Sequence, residues 1–322
     1  MANGCGVTRI VLLIADTNEL EDGNYLRLAN ECHRRGHEVA LCPIESLAMS
    51  DSEIVARGWS MSGRLAPGDP FPSFEPVALR EFDLVWVLSL GMRRTFLDKM
   101  QLLFSVDKHT RVINSIDTLM HFKSKYFTAG NPQVYRHPAT WAANNPDELY
   151  GVMQREGGKW IVKPPASSFG RDVYLLTAND PNARVVLESL CGPEEDEYCL
   201  LQRYVSEITH GEKRVVIAGG KPVGQYLRIA TKDHRTNIHQ GAEVRCCDLT
   251  NEELAYCERI GAFLLTHGAE FVGVDLAFPW VIEFNVVNPG GLLTIEEVSG
   301  IDIAPAIVEH IVEARRQAPL MP

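Results

Sequence analysis

The sequence predicts a mixed fold in which an α/β unit is followed by an α+β region. In the first third of the chain, short uninterrupted apolar runs alternate with amphipathic helical segments, the pattern of a parallel sheet covered by helices on both faces. From about Thr118 onwards, apolar runs come in pairs separated by short turns, which is typical of antiparallel hairpins. The 322 residues are enough for two or three domains.

Four apolar runs are predicted as strands of the first sheet, and two segments with one apolar side are predicted as its helices. The strands are expected at 10–14, 37–41, 84–88 and 112–114, and the helices at 24–35 and 95–104. Gly36 follows the first helix and supplies its stop. Four prolines lie within 66–76, so this stretch is predicted to be a loop.

The second half of the chain is predicted to be richer in antiparallel strands. Strands are expected at 160–163, 173–176, 199–205, 213–218, 222–229, 271–277 and 281–286. Helices are expected at 119–129, within 180–197, at 252–267 and at 303–316. Gly219 and Gly220 provide a tight turn, so the strands on either side of them are expected to pair.

The charge and the cysteines argue against several classes of protein. The chain has 31 Lys and Arg residues against 42 Asp and Glu residues, a net charge of −11 that lacks the basic footprint of a nucleic-acid-binding protein. The apolar run at 10–15 is far shorter than a membrane span, and residues 1–9 do not resemble a secretion signal. The eight cysteines include no C-x-x-C pair, as expected for reduced thiols. We therefore expect a cytoplasmic protein whose partners are neither nucleic acids nor membranes.

Three hard oxygen donors, Asp275, Glu283 and Asn285, lie close together near the C-terminal end. Side chains alternate faces along a strand, so Glu283 and Asn285 share one face, and a short turn at 278–280 brings Asp275 back opposite Glu283. The neighbouring residues are apolar, and buried carboxylates need partners. Mg²⁺ is the natural partner for such a set, and it leaves room for phosphate oxygens. The alternative is an edge hairpin whose polar face is solvated.

Several cations are candidates to neutralise phosphate groups in this otherwise acidic protein. They are Lys125, Lys163, Arg214, Arg228 and Arg235, with Asn237 in the same polar loop as the last. Taken singly, each Lys or Arg is more often a solvated surface charge. The loop 166–171 could offer backbone N–H groups to a phosphate, although it contains a single glycine. Dinucleotide-binding, P-loop, serine-hydrolase and zinc-protease motifs are absent from the sequence.

Eight short motifs follow one another from Val112 onwards. They are VINS at 112–115, SKYFT at 124–128, WIVKP at 160–164, LQRYV at 201–205, GEKRV at 211–215, RTN at 235–237, FVGVD at 271–275 and EFNV at 283–286. Their order and spacing resemble those of the ATP-grasp ligases, and most closely the bacterial glutathione synthetase family. The resemblance implies an N-terminal parallel α/β domain at 1–116, a central lid subdomain at 117–198 and a C-terminal antiparallel-sheet subdomain at 199–322.

The resemblance also implies roles for the residues at matching positions. For ATP, it implies that Lys125 and Lys163 contact the phosphates and that a lid over the phosphates is formed by Ser167, Ser168, Phe169 and Gly170. It implies that the adenine is bound by backbone groups of Gln202, Arg203, Tyr204 and Val205. Glu207 is expected to contact the ribose. For the metal, it implies Mg²⁺ ligands at Asp275, Glu283 and Asn285. For catalysis and the other substrates, it implies Arg214 beside the transferred phosphate, and Arg228, Arg235 and Asn237 against substrates and intermediate.

Two loops depart from the family pattern. The lid loop has one glycine where the family usually has several. After the expected metal ligands, the family typically continues with a Thr-Ser-Pro-Thr-like loop that helps to select the substrate. Here Asn288, Pro289, Gly290 and Gly291 occupy that place, which is nearer to the ribosomal-protein glutamate ligases of the same superfamily.

The activity implied by the resemblance is ATP-dependent, ADP-forming ligation of a carboxylate to an amine through an acyl phosphate. The expected substrates are γ-glutamylcysteine and glycine, with ATP and Mg²⁺. The alternatives are a related ligase for another dipeptide, amino acid or protein tail, and a nucleotide-binding module without turnover. Replacing Asp275 or Glu283 by Ala is expected to abolish turnover without unfolding the protein. Because family members are commonly dimers or tetramers, a homo-oligomer is expected.

Overall fold

The computed structural model describes residues 6–16, 19–71, 74–106, 110–165, 172–231, 236, 238 and 241–314. In these residues the first sheet is built from β1 (Arg9–Ile14), β2 (Glu38–Pro43), β3 (Ala48–Ser50), β4 (Glu53–Ser60), β5 (Glu75–Ala78), β6 (Leu84–Val87) and β7 (Arg111–Ile113). The strands β2, β1, β6 and β7 are parallel neighbours in that order, which confirms the predicted parallel sheet. The antiparallel strands β3, β4 and β5 extend it, and the sequence analysis missed them.

Burial explains the central strands of this sheet. Ile10, Val11 and Leu12 are fully buried in β1 because both faces of the sheet are covered. The helix α1 (Asn24–Arg34) covers one face with Leu28 and Cys32, and α2 (Phe96–Phe104) packs against the opposite face. The loop predicted at 66–76 is confirmed for its described residues up to Phe74, but the prediction was wrong for Glu75 and Pro76, which begin β5 because they pair with β4.

A pair of short helices, α3 (Ile116–His121) and α4 (Lys125–Ala129), follows the first sheet. The sequence predicted one helix at 119–129, but the helical hydrogen bonding is interrupted between the two pieces. Ser115 caps α3 by accepting from the Thr118 N–H. The interruption gives Lys125 the first position of its own helix.

The second sheet is antiparallel and is covered by two helices. Its strands are β8 (Thr140–Ala143), β9 (Lys159–Lys163), β10 (Tyr174–Thr177) and β11 (Cys199–Arg203), in the order β10-β9-β11-β8. The helices α5 (Pro146–Glu156) and α6 (Ala183–Cys191) pack on it around the fully buried Trp160. Strand β9 pairs with β10, with Val162 opposite Tyr174.

The third sheet is also antiparallel and carries the C-terminal helices. Its strands are β12 (Glu212–Ala218), β13 (Lys221–Ile229), β14 (Glu243–Arg245), β15 (Phe271–Ala277) and β16 (Trp280–Asn285), in the order β14-β13-β12-β15-β16. The predicted hairpin at Gly219 and Gly220 is confirmed, and both glycines have positive φ, which glycine adopts at little cost. The helices are α7 (Asn251–Thr266), α8 (Leu292–Ser299) and α9 (Ala304–Val308), the last continuing as a π-helical turn at Glu309–Glu313. The sequence analysis missed α8.

The first and third sheets share one hydrophobic core. Trp86 of β6 meets Phe271 of β15 edge to face, with ring centroids 5.5 Å apart. Asn114, just beyond β7, is buried and bonds the backbone of the third sheet: its Nδ2 donates to Phe271 O at 2.8 Å and to Val286 O at 2.7 Å. These contacts fix the two sheets against each other.

The division into 1–116, 117–198 and 199–322 remains a prediction. Strand β11 pairs with β8 and β9 of the second sheet, so we propose that the boundary between the central and C-terminal parts follows Arg203 instead of preceding Cys199. Among the described helices, none has both the length and the apolar composition of a membrane span.

Candidate active site

A cleft of about 660 Å³ lies between the second and third sheets. It is lined by fourteen of the residues singled out from the sequence: Lys125, Lys163, Gln202, Arg203, Tyr204, Val205, Arg214, Arg228, Asp275, Glu283, Asn285, Asn288, Gly290 and Gly291. These residues come from α4, six strands and two connecting segments. The tertiary structure therefore brings together cations and carboxylates that are up to 158 residues apart, from Lys125 to Glu283.

Some of the candidate residues lie elsewhere. Glu207 is on a short helical turn beyond β11 and is not among the lining residues, and Pro289 directs its carbonyl oxygen to Asn24. The candidates Ser167, Ser168, Phe169, Gly170, Arg235 and Asn237 lie outside the described residues. Their roles stay predictions.

The three oxygen donors share one face of the third sheet. Asp275 of β15 lies directly opposite Glu283 of β16, and Asn285 follows Glu283 by two positions on the same strand. Period-two alternation places all three on the cleft side. The Nδ2 of Asn285 donates to Asp275 Oδ2 at 3.1 Å, so its amide oxygen is the atom left to face a cation.

Buried arginines and carboxylates form a cluster on the same face. Glu212 lies opposite Arg228, and Arg214 lies opposite Asp275, because β12 pairs with both β13 and β15. Arg214 binds Asp275 through two nitrogens, with Nη2 at 2.9 Å from Oδ2. Arg228 Nη2 reaches Glu212 at 2.6 Å and Asp275 at 2.8 Å. We call Glu212, Arg214, Arg228 and Asp275 the arginine cluster; the sequence analysis missed Glu212, although it shares its strand face with Arg214.

The arginine cluster keeps Asp275 ionised. Burial by itself would raise the pKa of Asp275, but the adjacent guanidinium groups of Arg214 and Arg228 outweigh it and hold the pKa well below its ordinary value. At Glu212 the effect of burial prevails and the pKa is raised. The guanidinium group of Arg228 opposes this increase, and the nearby charge of Asp275 adds to it. The hydroxyl of Thr236 also donates to Glu212.

Two buried lysines face this cluster from the other side of the cleft. Lys125 Nζ lies 3.2 Å from Glu283 Oε1, and Lys163 Nζ donates to Gln202 Oε1 at 2.9 Å. Burial, with the charge of Lys125 adding to its effect, lowers the pKa of Lys163 to about 8 against the opposing carboxylates. An anion entering the cleft would thus meet two cations held in a desolvated setting.

The expected adenine segment offers less free backbone than the resemblance implied. The N–H of Arg203 donates to Ala139 O at 2.8 Å, and that of Tyr204 donates to Lys159 O at 3.1 Å. The guanidinium of Arg203 stacks on Trp160, 4.0 Å from the ring centroid, and so stabilises the second sheet. Around this segment the cleft wall is apolar, formed by Ile161, Val173, Ile208 and Ile282, which suits a flat ring.

The loop after β16 is held from two sides. Asn288 has φ +44°, and Asn24 at the start of α1 donates to its side-chain oxygen and to Pro289 O, both at 2.8 Å. Arg214 Nη1 donates to Gly290 O at 3.3 Å. Gly291 has φ +136°, and a Cβ there would lie 2.7 Å from the Tyr226 ring, so only glycine fits. The sequence analysis missed Asn24, which lies more than 260 residues from its partners.

The donor set fits a hard divalent cation. Two carboxylates and an amide oxygen on one face are the ligand types that Mg²⁺ takes, and Asp275 is ionised as a ligand must be. Within the described part of the chain, no three or more His, Cys, Asp or Glu residues form a group that could hold a metal ion, so the candidate set depends on the amide oxygen of Asn285 for its third donor. Lys125, Arg214 and Arg228 form ion pairs with these carboxylates and offset their charge.

Comparison with known proteins agrees with this geometry. Residues 124–300 match the family described as prokaryotic glutathione synthetase, ATP-grasp domain. The chain is 31% identical over 293 residues to a glutathione synthetase of Brucella melitensis, covering 90% of this chain and 92% of that protein. It is 29% identical over 294 residues to a glutathione synthetase of Mesorhizobium japonicum, covering 90% and 92%.

Solved structures share the fold at lower identity. A RimK domain ATP-grasp protein from Sphaerobacter thermophilus superposes with a TM-score of 0.62 at 19% identity, over 94% of this chain and 99% of that one. The ATP-grasp ligase PsnB, complexed with a variant of its minimal precursor, Mg and ADP, gives 0.63 at 14% identity, over 98% and 100%. The predicted ATP-grasp architecture is confirmed. The chain belongs to the prokaryotic glutathione synthetase family of ATP-grasp proteins.

Proposed function

We propose that the protein is an ATP-dependent, ADP-forming ligase that joins γ-glutamylcysteine to glycine, giving glutathione, ADP and phosphate. The observation that supports it most is the single cleft in which two lysines, two arginines and three oxygen donors converge. The similarity to glutathione synthetases over 90% of the chain supplies the substrates. ATP is the phosphoryl donor, as expected for an ATP-grasp domain.

The chemistry requires two steps because a carboxylate is a poor electrophile at neutral pH. The carboxylate oxygen of γ-glutamylcysteine attacks the γ-phosphorus of ATP, the bond to the bridging oxygen breaks, and ADP leaves. The amine of glycine then attacks the acyl carbon, the C–O bond breaks, and phosphate leaves as the amine loses a proton. Lys125 and Lys163 would bind phosphate oxygens, and Arg214 would lie near the transferred group.

Arg228 is placed for the charged intermediate. Its guanidinium is buried in the cleft, and its Nε has no hydrogen-bond partner among the described residues. Such a donor would be satisfied by an anionic group of the substrate or by the oxyanion that forms on the acyl carbon. Glu212 and Asp275 hold the other end of the side chain, so it does not have to reorganise during the reaction.

We assign Asp275, Glu283 and Asn285 as the residues that would hold Mg²⁺. When bound there, the cation would offset charge on the phosphate oxygens. The chain's own contribution is to keep Asp275 ionised and to place Lys125 beside Glu283, where the ammonium group can turn to a phosphate.

The test is ADP release by the purified protein with Mg-ATP, γ-glutamylcysteine and glycine, each omitted in turn. We expect ADP only when both substrates are present, and glutathione in the product by mass. The Glu283→Gln variant is the matched control for contaminating ATPase activity. Release with γ-glutamylcysteine alone would contradict glycine as the amine, and no release with any pair would contradict ligation.

A related ligase with another acceptor is the second candidate. The loop containing Asn288, Gly290 and Gly291 lines the cleft and is nearer in sequence to the glutamate ligases, and a RimK domain protein shares the fold. A panel of amino acids, dipeptides and peptides ending in glutamate, each offered in place of glycine, distinguishes the two. Faster ADP release with a peptide than with glycine would favour this candidate.

The remaining assignments complete the proposal. We propose that the protein is cytoplasmic, that it forms dimers or tetramers, and that small molecules are its partners. We also retain Ser167, Ser168, Phe169 and Gly170 as a phosphate lid, Arg235 and Asn237 as substrate contacts, and Glu207 near the ribose. Sedimentation of the purified protein tests the oligomeric state.

A further inference from the structure

A partly buried chain of hydrogen bonds runs behind the cleft and ends at Lys163. It begins at Val281 in β16 and passes through His137 and Gln202 before it reaches the ammonium group. Lys163 and Gln202 line the cleft, but His137 is not among the lining residues. Any influence of His137 on a ligand must therefore act through its neighbours.

His137 connects the second and third sheets. It lies three residues before β8, the edge strand of the second sheet. The preceding residue, Arg136, accepts the Val281 N–H at 2.9 Å through its carbonyl oxygen, and His137 Nδ1 lies 2.8 Å from Val281 O. Both backbone groups of Val281 are thus bonded to the segment that enters the second sheet, and Glu283 is two residues further along the same strand.

The carbonyl oxygen at the start of this chain of hydrogen bonds determines where each hydrogen lies. A carbonyl oxygen can only accept, so Nδ1 of His137 carries the hydrogen and Nε2 is the acceptor. Gln202 Nε2 donates to this nitrogen at 2.9 Å and to Thr140 Oγ1 at 3.1 Å, and the Thr140 hydroxyl itself donates to Pro138 O. Both amide hydrogens of Gln202 are used.

This arrangement turns the amide oxygen of Gln202 towards Lys163. Gln202 Oε1 accepts from Lys163 Nζ at 2.9 Å, whereas the reversed amide would present a second donor to the ammonium group. Burial lowers the pKa of His137 to about 4, so the ring is neutral at pH 7 and its Nε2 remains an acceptor.

We infer that His137 is a positioning residue for nucleotide binding: it holds Gln202 in the orientation that fixes the Lys163 ammonium group beside the incoming phosphates. The inference rests on the proposed function only in taking Lys163 as a phosphate contact. Because the same ring is bonded to β16, it also ties the position of Lys163 to the strand that carries Glu283.

The test compares His137→Met with His137→Gln. The two side chains have the same length, but only glutamine carries the donor and the acceptor that the chain needs. ADP is the titrated ligand in calorimetry, and adenosine, which has no phosphate, is the control ligand. We expect the Met variant to raise the Kd for ADP about five- to tenfold, the size expected for the loss of one hydrogen bond, and the Gln variant to stay within about twofold of the parent. The affinity for adenosine should not change in either.

A Lys163→Met background shows whether the effect passes through the lysine. If it does, the double variant His137→Met/Lys163→Met has the same Kd for ADP as the single variant Lys163→Met. In steady state, the His137→Met enzyme should show a higher KM for ATP with an unchanged KM for glycine. A general loss of structure would instead affect both, and would lower the melting temperature of the Met and Gln variants alike.

Three results would overturn the inference. They are equal ADP affinities for the Met and Gln variants, an undiminished effect of His137→Met in the Lys163→Met background, and a Lys163→Met variant with the parent's ADP affinity. Failure of the proposed function looks different, since the parent protein would bind ADP but form no glutathione.

Discussion

The two sides of the cleft hold their positive charges in different ways. On the third sheet, Arg214 and Arg228 are each bonded to buried carboxylates, and all four members of the arginine cluster are no more than 7% exposed. On the other side, Lys163 donates to the neutral amide of Gln202, and Lys125 faces Glu283, whose side chain is 30% exposed.

The charges of the two arginines are therefore balanced by carboxylates before a ligand binds, whereas the charge of Lys163 remains to interact with a ligand. Arginine keeps its proton and forms several directed bonds at once, so the arginine cluster is arranged before any ligand enters. A desolvated lysine with little compensation gains most when an anion arrives, and the lowered pKa of Lys163 reflects this cost of burial. We therefore expect the arginine side to govern stability and geometry, and the lysine side to govern affinity for nucleotide.

The largest expected effect comes from removing the charge of Asp275. In Asp275→Asn, the buried guanidinium of Arg214 loses its counter-ion and Arg228 keeps only Glu212. We expect turnover to fall by at least about a thousandfold and the free energy of unfolding to fall by about 3–5 kcal/mol. ADP release and urea unfolding measure the two quantities. The expectation from sequence that Asp275→Ala abolishes turnover without unfolding the protein stays a prediction, and the same two measurements test it.

Glu283→Gln sharpens the comparison because Glu283 is a metal candidate outside the arginine cluster. Its partner is Lys125 and its side chain is partly exposed, so we expect the free energy of unfolding to change by less than about 1 kcal/mol. Turnover should still be lost if the carboxylate holds Mg²⁺. Activity equal to that of the parent at limiting Mg²⁺ would contradict the metal assignment.

The dependence of nucleotide binding on pH tests the lysine side. Burial lowers the pKa of Lys163 to about 8 in the free protein; the charge of Lys125 adds to the lowering, and Glu283, Glu212 and Asp275 oppose it. A bound phosphate favours the charged ammonium group and raises this pKa, so affinity is full below pH 8 and falls as the pH rises above it. We expect the Kd for ADP to increase between pH 8 and pH 9 by less than about tenfold. The Lys163→Met variant should abolish this slope, and a slope that persists in it would assign the titration to another group.

The smallest expected effect comes from replacing Thr236, which contacts the arginine cluster through Glu212. The Thr236 hydroxyl donates to Glu212, which also keeps its bond to Arg228. We expect Thr236→Val to lower the free energy of unfolding by about 0.5–1.5 kcal/mol and to leave the Kd for ADP unchanged. A change in ADP affinity without a change in stability would contradict the division between the two sides.

Local patterns were enough for much of the fold. Uninterrupted apolar runs located β1 and β6, and two glycines located the turn between β12 and β13. The strands β3, β4 and β5 were missed, two of which have only three or four residues, and every residue of β3 is exposed. The helix α8 was missed because its eight residues follow a glycine-rich turn and show little periodicity.

Local patterns also predicted part of the candidate site. Alternation along a strand needs no partner, so the common face of Glu283 and Asn285 followed from their spacing. The same rule applied to Arg214 would have pointed to Glu212, two residues earlier on β12. No local rule points to Asn24 or His137, since their partners Asn288 and Gln202 are 264 and 65 residues away.

The sequence alone therefore determined which side chains share a face and where the chain turns, because both depend on neighbours in the chain. It also determined the family, because the order and spacing of the motifs can be read along the chain. Only the tertiary structure decided which cation meets which carboxylate. Arg214 and Asp275 are 61 residues apart, and their contact depends on the register of β12 against β15. The lowered pKa of Lys163 depends on burial between two sheets, a property of the whole fold that no single segment carries.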